Sequence, residues 1–305
     1  MSIKVIACGV FRTDLQPLLE KPGEEIEVVY LEGGLHSEPH KLRDALQQEI
    51  DRETGAERIV LIYGLCGTGS AGLRARRVPL VIPRVHDCIS LFLGSDAAYA
   101  RQFRSTPGTY YISAGWYEEQ IQPKGRREER PSTDPISLSS GDTAPAELEK
   151  RYGKENAEAI LKLTHSWKRN YKRAVFIDTG GGRRGIYRDY VAAMGREFGW
   201  KTETIAGSTQ LIEKALEADR SDEEVLLIPP GKVSYFDSAS GRMEAGDPDT
   251  PPEGYSPLKR KRLIPGCAAS PHPHRRIGLG IDAGGTYTDT ALFNLEEGVL
   301  IAKSK

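Results

Sequence analysis

Short apolar runs that lead into small or ligand-capable residues set the strongest limit on how this chain can fold. Ile3–Ala7 stops at Cys8-Gly9, Ile26–Leu31 at Glu32-Gly33-Gly34-Leu35-His36, Ile59–Tyr63 at Gly64, and Pro79–Pro83 leads into His86-Asp87-Cys88. Runs this short and this rich in β-branched residues read as strands, buried ones at Ile3–Ala7, Ile59–Tyr63 and Pro79–Pro83. Between them, Phe11–Leu19 reads as a short helix closed by Pro22-Gly23, and Pro39–Ile50 places Leu42, Leu46 and Ile50 at the four-residue spacing of an amphipathic helix. Strands alternating with helices predict an α/β chain with a doubly wound, parallel sheet. In such a sheet, sites lie outside the carboxyl ends of the strands, which is where Cys8, Cys66, His86 and Cys88 fall.

The pattern continues downstream. Leu91–Phe103 reads as helix, followed by Gly108-Thr109-Tyr110-Tyr111-Ile112-Ser113 and Gly115-Trp116, whose aromatics suit packing or a pocket wall. Pro145–Tyr171 has the helix period. Ala174–Ile177, a strand near Thr202–Ala206 and Val225–Ile228 repeat the strand–helix logic without the cysteines. The resulting expectation is two Rossmann-like halves facing each other across a cleft, residues 1–120 and 146–235, separated by an exposed excursion at 121–145 that is rich in Pro, Ser, Thr and charge. Residues 236–275 lose periodicity and read as linker, and 276–305 as a separate β-hairpin.

The bulk numbers narrow the function classes. With 28% charged residues and a net charge of −1 over 305 residues, nothing predicts a nucleic-acid or anionic-membrane partner. No apolar run approaches the ~20 residues that cross a bilayer, and no signal-peptide segment is present, so the expected location is cytoplasmic. Four cysteines in such a chain suit thiols or ligands better than a disulfide scaffold.

Cys66, His86 and Cys88, with Cys8 as a fourth, form a soft S/N donor set suited to zinc or an iron–sulfur cluster, with a corrinoid cobalt as a further candidate. Free cysteine at a loop start can equally act as a small buried hydrophobe. Asp87 reads as the N-cap of the following helix, and His36-Ser37-Glu38-Pro39-His40 as a helix start. Arg74, Arg76, Arg77 and Arg84 flank the two loops and could receive an anion, although surface arginines beside strands are common. Asp178-Thr179-Gly180-Gly181 follows a strand and can form an anion-receiving nest, with Asp178, Gly180 and Gly181 as cofactor contacts, or a plain tight turn. Asp282, with Gly284, Gly285 and Thr286, is a carboxylate before a Gly-Gly-Thr turn, a pattern that suits a Mg–nucleotide site. Three functions stay open: binding of a metal or metallocofactor, a thiol-dependent transferase with Cys66 or Cys88 as nucleophile and His86 as base, and a small-molecule binding module.

Residues 1–235 or so resemble the domain-of-unknown-function family 1638, through YGLCGTGSAGL, IPRVHDCISLFLGS, GTYYISAGW, and the IDTGGG and LLIPPG strand ends. The resemblance implies a companion of corrinoid-dependent methyl transfer in anaerobes, with a corrinoid protein or methyltransferase as partner. RRIGLGIDAGGTYTDTALFN is similar to the opening phosphate hairpin of the hydantoinase/oxoprolinase branch of the actin-like ATPases. That resemblance implies that Asp282 contacts a nucleotide's metal and that Gly284–Thr286 face phosphate. It covers only residues 276–305, so it implies no complete ATP site.

Overall fold

The computed structural model describes residues 2–20, 25–121, 149–150, 153–158, 170–237 and 240–250, and the strand backbones at 277–283, 288–294 and 299–304. The chain divides into two units: Met1–Pro131 with Arg173–Lys259, and Ser132–Lys172 with Arg260–Lys305. The 122–148 excursion, most of the helix expected over 145–171, and Cys267, Gly284, Gly285 and Thr286 lie outside the described residues.

The first unit is α/β and doubly wound. Its larger sheet has the order β2-β1-β3-β4-β8, from β1 (Ser2–Cys8), β2 (Glu25–Leu31), β3 (Arg58–Ile62), β4 (Leu80–Pro83) and β8 (Val225–Ile228). β1 pairs in parallel with β2 from Ser2↔Glu25 to Cys8↔Leu31, and with β3 from Ile3↔Arg58 to Ala7↔Ile62. Residues Ile3, Val5, Ile6 and Ala7 are fully buried, as a central strand covered on both faces requires. The order reverses between β1 and β3, and that topological switch point is where a doubly wound sheet opens a crevice. α2 (Pro39–Arg52) covers one face through Leu42, Leu46 and Ile50, as the four-residue spacing predicts, and Pro39 stands at its first turn. Each of these side chains contributes about 1.5–3 kcal/mol through burial.

A second parallel sheet contains β5 (Thr109–Ser113), β6 (Arg173–Asp178) and β7 (Lys201–Ala206), with β6 central. β5 thus pairs with a strand some sixty residues downstream. Arg173 fastens this sheet: its guanidinium donates to Thr109 Oγ1 at 3.0 Å, Gln102 Oε1 at 2.9 Å and Glu203 Oε2 at 2.8 Å. β8 returns to the larger sheet and pairs antiparallel with β4, Leu80 opposite Ile228. The helices that follow these strands are α1 (Arg12–Leu15), α3 (Cys88–Leu93), α4 (Asp96–Ser105), α5 (Ala114–Gln120), α6 (Arg184–Phe198) and α7 (Gln210–Glu217). Asp87 caps α3 as read, its Oδ1 accepting from Ile89 N at 2.9 Å.

Residues 242–246, expected within a linker, instead form β10 (Arg242–Gly246), antiparallel to β9 (Val233–Asp237). The hairpin is held because Tyr235 and Met243 are buried and because Ser234 is an anchor. The Ser234 hydroxyl accepts from Leu73 N at 2.9 Å and donates to Ser70 O at 2.7 Å, which pins the loop leaving β3.

In the second unit, β11 (Ile277–Ala283), β12 (Thr288–Asn294) and β13 (Val299–Ser304) form an antiparallel meander, with Asp282 paired in register to Asp289. The expected hairpin therefore carries a third strand. Among the described residues, no helix is long and apolar enough to cross a membrane.

Candidate functional site

The carboxyl ends of both sheets meet within the first unit. Phe11, in the turn after β1, stacks on Phe92 of α3, with ring centroids 4.4 Å apart. The Phe92 carbonyl accepts from Ser208 N, just beyond β7, at 2.9 Å. Thr13 lies against Gly181 beyond β6. The turn Gly9–Phe11 also packs on α5, which follows β5.

The loop after β3 is built on close backbone approaches. A Cβ at Gly64 would stand 2.9 Å from Val85 O and Asp87 N, so only glycine lets the β3 and β4 loops lie together. They are joined by Leu65 N to Val85 O at 2.8 Å and Cys66 N to His86 O at 3.0 Å. Cys66 (φ 48°), Gly67 (φ 64°) and Thr68 (φ 74°) then run through three successive left-handed conformations. This is costly for a non-glycine residue, and most of all for a β-branched one, on the order of 1–3 kcal/mol each. The turn is closed by Gly69 N to Cys66 O at 3.2 Å, Ala71 N to Thr68 O at 3.1 Å and Ser70 Oγ to Gly64 O at 2.8 Å. Strain held by this much bonding places Cys66 at the rim of the sheet, half-buried.

Tyr63 is the pivot beneath it. It is only 3% exposed, lies beside the Cys8 thiol and within electrostatic reach of Cys66, and its hydroxyl has no partner at full hydrogen-bond geometry among the described residues. Burial drives its hydroxyl far above the usual phenol range, and the neighbouring thiols and Glu119 push the same way. Burial likewise raises Cys8 to about 11; Glu119 adds to the shift, while the Val10 and Gly9 backbone N–H groups and the Tyr63 hydroxyl oppose it. Glu119 reaches in from α5, its Oε1 accepting from Gly33 N at 3.3 Å and lying where a Cβ on Gly9 would be. Cys8, Tyr63 and Glu119 thus stand at the β1/β3 switch point, with Cys66 on the loop that leaves β3.

The other two predicted residues lie beyond β4. The His86 side chain is 47% exposed, with Nδ1 3.9 Å from Asp87 Oδ2, and it meets Cys66 through the backbone. Cys88 starts α3 and, like Cys8, is half-buried against the apolar core. Cys8, Cys66 and Cys88 are all thiols. Among the described residues, no group of three or more His, Cys, Asp or Glu side chains stands close enough to hold a metal ion. Arg76 pairs with Asp51 at 2.7 Å and Arg84 with Glu244 at 2.7 Å, so both serve structure.

Asp178, Thr179 and Gly180 line a cavity of about 390 Å³ together with Arg184, Thr204 and Gly207. The turn closes on itself: Gly180 N donates to Asp178 Oδ1 at 3.0 Å, and Arg184 and Arg188 pair with the same carboxylate at 3.3 and 2.9 Å. A second cavity, about 520 Å³, lies between the α3–α4 turn and α7, lined by Ser95, Arg101, Lys214 and Glu224. No cysteine lines either cavity.

Tyr63 and Glu119 are the two members that sequence reasoning missed. Tyr63 carried one signal, a phenol closing an aliphatic run at a strand's carboxyl end. Glu119 carried none, because it arrives through the packing of α5. Cys8 is expected to resist alkylation in the folded protein. Iodoacetamide at pH 8, followed by peptide mass analysis, should modify Cys66 well before Cys8, since the reactive thiolate of Cys8 becomes abundant only near its raised pKa of about 11. Equal rates would refute that burial.

A family model described as a protein of unknown function (DUF1638) matches residues 30–216. That range takes in Tyr63, Cys66, His86, Cys88, Glu119 and Asp178. No curated protein and no solved structure matches the chain.

Proposed function

The chain belongs to the DUF1638 family, and from that premise we propose that it binds a thiophilic ligand, a metallocofactor or a soft metal ion bringing ligands of its own, at Cys66 and Cys8. The observation that carries this reading is a thiol at the carboxyl end of each of the adjacent strands β1 and β3, within electrostatic reach of one buried phenol, one of them presented on strained left-handed backbone. A structural zinc takes four protein ligands, and an iron–sulfur cluster commonly four cysteines. A pair of protein thiols suits a metal whose remaining positions are already filled. A corrinoid cobalt, implied by the family resemblance, would take one of these thiols, with the other held beside it. Its chemistry would be methyl transfer, with a corrinoid protein or methyltransferase as partner. Soft metals displace the thiol proton on binding, so the raised pKa of Cys8 would fall on loading. Tyr63 would orient the thiols, and the Glu119 carboxylate would receive that proton.

A second reading rests on the backbone at Cys66. A nucleophile on a sharp turn with positive φ directly after a buried strand is the device of acyl-transfer enzymes, and His86 lies one backbone hydrogen bond away. The two readings separate in one experiment. Anaerobically purified protein is analysed for metal, titrated with cobalt(II) and examined by ultraviolet–visible spectroscopy beside Cys66→Ser and Cys8→Ser. A thiolate-to-metal band lost in Cys66→Ser and weakened in Cys8→Ser is the expected result. Wild type that stays metal-free and bandless would overturn it; stoichiometric alkylation of Cys66 in that protein would favour the nucleophile.

A further inference from the structure

Asp14, on the single turn of α1, is 5% exposed, and among the described residues its carboxylate meets only the Thr179 hydroxyl and its own backbone N–H, neither at full hydrogen-bond geometry. The Thr179 hydroxyl beyond β6, also buried, is the side chain that acts on it. The pair therefore closes the seam between the loops after β1 and β6. Thr179 also lines the cavity of about 390 Å³, which leaves Asp14 one side chain from open space.

The surrounding charges are committed elsewhere. Arg12 lies over the Tyr30 ring at 3.9 Å, Arg183 pairs with Glu118 at 2.9 Å, and Arg184 and Arg188 hold Asp178. Glu119, the remaining acid on α5, accepts from Gly33 N. Burial raises the Asp14 carboxyl to about 6, opposed by Thr179 and its own backbone, and no cation contributes. A dry carboxylate without a cation is a standing cost to the fold, unless a bound group compensates it.

The geometry points to Asp14 and Thr179 as a recognition pair for the primary ammonium group of a small ligand entering through this cavity. An ammonium has three donors, and the pair offers three oxygens, two of them on a carboxylate whose charge it would neutralise. A hard metal ion asks for about six oxygens, twice what stands there. A neutral hydroxyl would satisfy the hydrogen bonds and leave the charge. The inference rests on no thiol, so it stands or falls apart from metal binding.

The test is thermal unfolding of the full chain with ethanolamine, putrescine or lysine as probe, and tetramethylammonium and Mg²⁺ as controls. In wild type at pH 7.5 at least one primary amine should raise the midpoint in proportion to its concentration. Asp14→Asn should abolish that shift and Thr179→Val should weaken it. Without amine, Asp14→Asn should melt roughly 5 °C above wild type at pH 7.5. The sign follows from linkage: the carboxyl is at about 6 when folded against 3.8 otherwise, so ionisation opposes folding. The gain should accordingly vanish below about pH 4, where both states hold the proton. No amine response, an equal response in Asp14→Asn, or a response to Mg²⁺ alone would overturn the proposal. Should Asp14→Asn fail to fold, Thr179→Val decides by the same amine series.

Discussion

Gly115→Ala is expected to keep the first unit from folding. Gly115 sits in the first turn of α5, and a methyl there would be driven into the backbone carbonyl of Val10. A flexible side chain could turn aside, but the carbonyl belongs to the turn that links β1 to α1 and cannot move without disturbing both. Relief requires lifting α5 off Gly9–Phe11, which would withdraw Glu119 from Gly33 and open the switch point. Overpacking a tight site costs typically 1–3 kcal/mol, and backbone against backbone lies beyond that range, at about 4 kcal/mol or more. Soluble yield and a far-ultraviolet circular dichroism melt would check this. Gly185→Ala is the matched control, since it lies in α6 with open space at its Cβ and should be neutral or slightly stabilising. A Gly115→Ala protein melting with wild type would show that α5 is not seated on the β1 turn as described.

What could be read from the residues follows from which interactions are local. β1, β3 and β4 were legible because each apolar run is buried on both faces and stops at a residue suited to a loop, whereas β2, at the sheet edge, is only half-buried. α2 was legible because Leu42, Leu46 and Ile50 share one face. The Asp87 cap was legible because capping involves a side chain and a backbone two residues on. Pairing was not: nothing in Thr109–Ser113 says that its partner is β6, and nothing in Val225–Ile228 says that it runs back beside β4. Those choices depend on Arg173 and on the core that β8 completes. Cys8 and Cys66 could be placed at strand ends, but that both come within electrostatic reach of Tyr63 depends on how β1 and β3 pair and where the β3 and β4 loops touch. Asp14 was the least legible. In Arg12-Thr13-Asp14-Leu15 it looks like one polar residue on an exposed turn, and its burial comes from tertiary packing that no local pattern signals.

Phe11→Ala should cost about 3–5 kcal/mol, the usual range for removing a fully buried aromatic ring. Phe11 has no exposed surface, and its stack on Phe92 joins the turn after β1 to the helix after β4. Phe92 in turn reaches Ser208 through its carbonyl, so the stack lies on the line of contact between the two sheets' ends. A cavity here loosens the segment that carries Cys8 three residues before it and Asp14 three residues after it. Two consequences follow besides the lower midpoint. Cys8 should alkylate faster, because opening the turn exposes the thiol, and Asp14 should lose part of its raised pKa as water reaches it. The ring pair itself should add about 0.5–1.5 kcal/mol beyond burial, to be measured in a cycle of Phe11→Ala, Phe92→Ala and the double variant by denaturant unfolding. Strict additivity would mean that the rings are buried side by side without coupling. Coupling together with unchanged Cys8 alkylation would mean that the stack stabilises the sheets' junction without governing access to the thiols.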